Sequence, residues 1–213
     1  MKLPLFLTLP ALLLAACSSA AAPTATSPPS LRATPSVTAP AASPPATVQA
    51  ASACHPPAAP TAAETEGPYF KAGSPQRSSL LEAGMPGTKL VLSGQVLATD
   101  CTPIAGAVLE FWQADAQGAY DNAGYRLRGH QVADAQGRYQ LTTIVPGLYP
   151  GRTRHIHFKA IPPTGRPLTS QLYFPNEPQN TSDAIFDRSL LLPIATAADG
   201  SQSATFNIIL KAA

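Results

Sequence analysis

Charged side chains are scarce in this chain, with 14 Lys and Arg against 12 Asp and Glu in 213 residues. No basic cluster or aromatic ladder runs through it, which removes nucleic acid as a partner. Sulfur is scarcer still. The three Cys (17, 54 and 101) stand alone, with no CxxC or CxC pair, and that argues against a thiolate metal site. The one long apolar run, Leu3 to Ala16, is 14 residues and is broken by Pro4 and Pro10, so it falls short of the roughly 20 that a membrane span needs. Helical periodicity is missing too. Outside SDAIFDRSLL, residues 182–191, no amphipathic pattern outlasts a turn or two, which argues against a helical bundle. Between Asp134 and Glu177 there is no carboxylate at all, so that stretch cannot supply a local triad of two His and one carboxylate.

What is present begins with MKLPLFLTLPALLLAACSS, a secretory leader of residues 1–16 ending in a lipobox. Cleavage before Cys17 would leave that residue lipid-modified. The expected product is an exported lipoprotein anchored to the cell envelope, on its periplasmic or extracellular face. Residues 17–60 are mostly Ala, Pro, Ser and Thr. They hold too little apolar surface to fold and read as a disordered, semi-rigid tether. Residues 61–213 make one domain. With Cys17 committed to lipid, Cys54 and Cys101 remain, and in an exported domain they are candidates for a disulfide. Closing that 47-residue separation would stabilise the fold by about 4 kcal/mol through loop entropy. Two free thiols are the other reading.

The domain reads as strands divided by turns. KLVLSGQVLA puts Leu90, Leu92, Gly94 and Val96 on one face, and AVLEFWQA puts Val108, Glu110 and Trp112 opposite Leu109 and Phe111. DAQG marks a turn twice, at Asp115 and at Asp134. GRYQLTTI, RHIHFKAI, LTSQLYF and SATFNIIL add four more strands, and the fold class is all-β, a sandwich of mainly antiparallel strands.

The chemistry is concentrated between Tyr149 and His157, in YPGRTRHIH. His155 and His157 alternate along a strand, so both imidazoles leave the same face, with Cα atoms roughly 6.5 to 7 Å apart, close enough to converge on one metal ion. Half of the four His in the chain sit here. Arg152 and Arg154 precede the pair, so anionic ligands must come from elsewhere to balance a bound cation. Tyr149 and Tyr120 are the available donors. A hard trivalent cation such as ferric iron would lower a phenol pKa of about 10 far enough to keep it ionised.

The segments LEFWQADAQGAYDN, RLRGHQVADAQGRYQLTTIVPGLYPGRTRHIHF and LTSQLYF together resemble the intradiol ring-cleavage dioxygenases, the catechol and protocatechuate dioxygenase family, over roughly Thr65 to Phe174. The resemblance implies a β-sandwich with Tyr120, Tyr149, His155 and His157 as ligands of a non-haem Fe(III). It makes Arg152 and Gln171 active-site residues, and TEGPYF brings Tyr69 near the substrate. Tyr149 would be the tyrosinate displaced on substrate binding, acting as a base. His130 and Tyr125 are left out of the site, and Trp112 is taken as packing. The loop between Tyr149 and His155 is only five residues, and the helical N-terminal segment through which catechol dioxygenases dimerise is absent. Substrate and oligomeric state are therefore open.

The activity implied is cleavage of a catechol by dioxygen to a cis,cis-muconate-type diacid. The alternative is a non-catalytic, surface-tethered sandwich that binds a metal or a catecholic compound.

Overall fold

The structure is a computed structural model, and it describes residues 53–211. The expected leader, the lipidated Cys17 and most of the tether lie outside the described residues.

Among the described residues, nine strands form two sheets. The first contains β1 (Lys89–Ala98), β4 (Arg138–Ile144), β7 (Ala195–Thr196), β8 (Gln202–Thr205) and β9 (Ile208–Leu210). In it β1 runs antiparallel to β4 but parallel to β8 and β9. The second sheet has the order β3-β2-β5-β6 and is antiparallel throughout, built from β2 (Val108–Trp112), β3 (Arg128–Val132), β5 (His155–Ile161) and β6 (Leu168–Tyr173). The strands expected from alternation all form. SATFNIIL is divided at Phe206 and Asn207 into β8 and β9, and RGHQV adds β3, which carried no alternating signal.

The core lies between the sheets, and the period of two fills it. Leu90, Leu92 and Val96 of β1 meet Leu109 and Phe111 of β2 and Ile156 and Phe158 of β5, all at or near zero exposure. Each such side chain contributes about 1.5 to 3 kcal/mol by leaving water. With Ile156, Phe158 and Ala160 turned inward, His155 and His157 must emerge on the outer face of the second sheet.

Two expectations are corrected. SDAIFDRSLL is not an amphipathic helix: short 3-10 turns occupy Pro178–Thr181 and Arg188–Leu190, and the residues between them bind other segments through Asp183. The tether does not run to residue 60. Cys54 is joined to Cys101 by a disulfide, and the Ala58 N–H donates to the Thr99 carbonyl, so the domain's contacts begin upstream of the 60/61 boundary.

Candidate metal centre

Although they face outward from the sandwich, His155 and His157 are only 5% and 3% exposed. Neighbouring strands and the TEGPYF loop bury them. Trp112, paired with His157 across β2 and β5, stacks on its imidazole at 4.9 Å with an interplanar angle of 6°. Gln171 of β6 pairs with His157 from the other side. Trp112 is thus packing, as expected, but what it packs is one of the two imidazoles.

The His155 Nδ1–H donates to the Thr153 carbonyl at 2.6 Å, which leaves the Nε2 lone pair directed away from the strand. That Nε2 lies 3.2 Å from Nε2 of His157 and 3.3 Å from the Tyr120 hydroxyl. His157 Nδ1 is buried without a partner. With its proton on that nitrogen, two lone pairs and a phenol oxygen converge on one point, an arrangement that a cation would satisfy. Burial pushes both imidazoles down, His155 to about 4 and His157 well below its ordinary value, so both are neutral and able to ligate. Burial raises the Tyr120 phenol, although Arg152 and Arg128 oppose the shift. A cation's charge is what would ionise it.

Two glycines bring the second tyrosine to the first. Gly118, in the DAQG turn at φ +87°, packs so tightly that a Cβ there would sit 2.1 Å from the Leu148 carbonyl. A Cβ on Gly147 would sit 2.4 Å from the Gly118 nitrogen. The two turns therefore touch backbone to backbone, secured by the Gly147 N–H on the Asp115 carbonyl at 2.7 Å. This sets the Tyr120 and Tyr149 rings 5.8 Å apart, edge to face. Tyr69 closes the group: it stacks on Tyr120 at 4.4 Å, and its hydroxyl lies 2.8 Å from that of Tyr149. This hydrogen bond, helped by burial, raises the Tyr69 phenol.

Arg152 stands at the rim. Its Nη2 donates to Gln171 Oε1 at 2.7 Å, and the Gln171 Nε2 donates to the Thr65 carbonyl at 3.1 Å. Sequence reasoning missed Arg128 of β3, which is 2% exposed. It donates to the Tyr69 carbonyl and twice to the Asp121 carbonyl, tying the TEGPYF loop to the Tyr120 turn. RLRGH lay within the stretch of resemblance, but neither spacing nor alternation pointed to a buried cation.

The structure brings together Tyr69, Tyr120, Tyr149, His155 and His157, with Arg152 and Gln171 beside them. It keeps His130 and Tyr125 apart from the imidazole pair: His130 Nδ1 bonds to the Ser74 carbonyl and the Tyr125 hydroxyl to the Ala72 carbonyl. His55 is exposed. Arg154 is turned to Glu177 and the Pro146 carbonyl. Among the described residues no three His, Cys, Asp or Glu side chains cluster as a metal cage. Two imidazoles and the Tyr120 phenol meet there with the Tyr149 ring beside them, a group of side chains that would suit a hard trivalent cation whose charge the phenols would balance.

A protein-family model described as Dioxygenase matches residues 65–212. This chain is 30% identical over 186 residues to a chlorocatechol 1,2-dioxygenase of Rhodococcus opacus, covering 71% of this chain and 72% of that protein. It is 34% identical over 118 residues to the protocatechuate 3,4-dioxygenase beta chain of Burkholderia cepacia, covering 47% of this chain and 50% of that one. Across these two the chain spans half to nearly three quarters of the relative's length. Among solved structures, the dioxygenase domain of a dioxygenase and carbohydrate-binding protein fusion from Streptomyces sp. SirexAA-E superposes with a TM-score of 0.70 at 52% identity, covering 73% of this chain and all of that domain. The 3-chlorocatechol 1,2-dioxygenase of Rhodococcus opacus gives a TM-score of 0.67 at 27% identity, covering 72% of this chain and 73% of that one.

Proposed function

Because this chain belongs to the intradiol dioxygenase family, we propose that it cleaves a catechol-type ring between its two hydroxyl-bearing carbons with dioxygen. Both oxygen atoms enter the product, a cis,cis-muconate-type dicarboxylate, and two protons are released. The observation that carries this reading is that His155 Nε2 lies 3.2 Å from His157 Nε2 and 3.3 Å from the Tyr120 hydroxyl.

Tyr120, Tyr149, His155 and His157 would hold a non-haem ferric ion. When bound, that ion supplies the positive charge that ionises the phenols and withdraws electron density from a catecholate. The protein's own groups do the rest. Thr153 fixes the His155 tautomer, and Trp112 holds the plane of His157. Tyr149, ionised as the phenolate, would accept a substrate proton at its phenolate oxygen, and the Tyr69 hydroxyl, already 2.8 Å away, would hold the protonated group. Arg152, positioned by Gln171, stabilises negative charge that develops on the ring. Gln171 and Tyr69 line the substrate's approach.

The domain acts outside the cytoplasm, on a lipid anchor at Cys17. The test is iron content and visible spectrum. Purified protein should carry one iron per chain and be wine-red from phenolate-to-metal charge transfer, and catechol should shift the band. Colourless protein that takes up no iron would defeat the ligand assignment.

A further inference from the structure

We propose that Asp183 is the positioning residue for Arg152, joining the guanidinium and the first histidine to a single carboxylate oxygen. The inference rests on the dioxygenase reading for its catalytic consequence, but its geometry stands apart from it. Asp183 Oδ2 accepts from Arg152 Nε at 2.8 Å and from the Thr153 N–H at 2.9 Å. The carbonyl of the same Thr153 accepts from His155 Nδ1. The remaining oxygen, Oδ1, accepts the Ile185 N–H at 3.2 Å, so the loop's own backbone fixes the carboxylate.

Burial makes this contact matter. The Asp183 side chain is 3% exposed, whereas that of Arg152 is 23% exposed. A charge-assisted bond to a buried, multiply held carboxylate is much stronger than a surface pair. Arg152 stands on a short loop with solvent on one side, and a free arginine side chain carries about 2 kcal/mol of rotamer entropy. Without Asp183, Gln171 and the Tyr173 hydroxyl beside it would hold only one side of its fork. With Nε on Asp183 and Nη2 on Gln171, the plane of the guanidinium is set before substrate arrives, which is what electrostatic stabilisation of a developing charge requires.

The test uses Asp183→Asn, which keeps the size and an acceptor oxygen but removes the charge. In the iron-loaded protein we expect kcat for catechol-dependent oxygen uptake to fall about tenfold to a hundredfold, with KM changed less than about twofold and iron per chain unchanged. A merely structural role would add its cost to any background. Acting through Arg152, the substitution should cost nothing further in Arg152→Ala. A second readout needs no turnover. In metal-free protein labelled with 15N-arginine, one protected Nε–H resonance should vanish in Arg152→Ala and lose its protection in Asp183→Asn.

If the wild type turns over no catechol but this resonance behaves as described, the dioxygenase reading fails and the positioning role stands. Protection retained in Asp183→Asn, or a full additive loss in the double variant, overturns the proposal. Should Asp183→Asn fail to fold, Arg152→Lys tests the same contact, because lysine keeps the charge but has no Nε to give Asp183. It should lose kcat to the same extent, and full activity there would also overturn the proposal.

Discussion

Tyr120 and Tyr149 present the same phenol in different surroundings, and their surroundings divide their work. The Tyr120 hydroxyl lies against His155 while Tyr69 covers its ring; the Tyr149 hydroxyl is engaged by Tyr69, a partner that would hold it if substrate displaced it from a metal. Tyr149→Phe should therefore retain iron on three donors yet lose turnover at least a hundredfold, an order of magnitude typical for removing a positioned acid or base. Tyr120→Phe should lose most of its iron, as should His155→Ala and His157→Ala. Tyr125→Phe, whose hydroxyl bonds to Ala72, should behave as wild type. Iron per chain, measured by atomic absorption, separates the two tyrosines. The imidazoles also leave a pH signature. His155 is held at about 4 by burial, below its ordinary 6.5, so between those values the unfolded chain binds a proton that the folded metal-free domain does not. Its contribution is whole above pH 6.5 and is lost as pH falls toward 4, at about 1.4 kcal/mol per unit. Urea midpoints at pH 7 and 4.5 should differ less in His155→Gln than in wild type, and an equal difference would show that the imidazole is not buried neutral. At this scale the sequence revealed the two imidazoles and two phenols that the fold gathers, because His-x-His alternation and the turn tyrosines are local signals. Asp183 and Arg128 were illegible, since each acts on residues brought to it by the fold, Arg152 and Thr153 in one case and Tyr69 in the other.

Strands carried their own signature wherever one face met the core. β1, β2, β4, β5 and β6 could be read from alternating side chains, and β5 could be read together with its chemistry, because the residues facing the core force the histidines outward. β3 could not be read: its Gly129, His130 and Gln131 have no apolar period, and the strand exists because β2 pairs with it over five residues. SDAIFDRSLL misled in the opposite sense, since its apolar spacing is helical while Asp183 and Asp187 spend their side chains on backbone N–H groups of the loop. The contact of the two tyrosine-bearing turns is an element-level property that can be tested. Gly118→Ala inserts a methyl into the Leu148 carbonyl at a left-handed φ, so it should destabilise the domain by roughly 1–3 kcal/mol and lower iron occupancy by moving Tyr120 away from Tyr149. Gly84→Ala, also at positive φ but with nothing within 4 Å, carries the backbone strain alone and should keep its iron. Equal iron in both variants would detach the glycine contact from the metal centre.

For the molecule as a whole, the two-sheet sandwich follows from composition and period, and the family from the motifs laid along it. The boundary of the domain followed from neither, because Cys54 to Pro60 looks like tether in composition and is held by a disulfide and a backbone bond that only the fold provides. The anchor belongs to this scale too. Cys17→Ala should prevent lipidation and move the protein out of the detergent phase on Triton X-114 partitioning, whereas unchanged partitioning would remove the lipoprotein from the account. The central claim is ring cleavage by dioxygen at the His155, His157, Tyr120 and Tyr149 centre. Its most direct measurement is catechol turnover under 18O2 with the product analysed by mass spectrometry. The expected product is a ring-opened diacid carrying two 18O atoms, formed with one dioxygen consumed per catechol and absent from His157→Ala. An iron-replete, wine-red protein that consumes no oxygen with catechol, protocatechuate, hydroxyquinol or chlorinated catechols would contradict it.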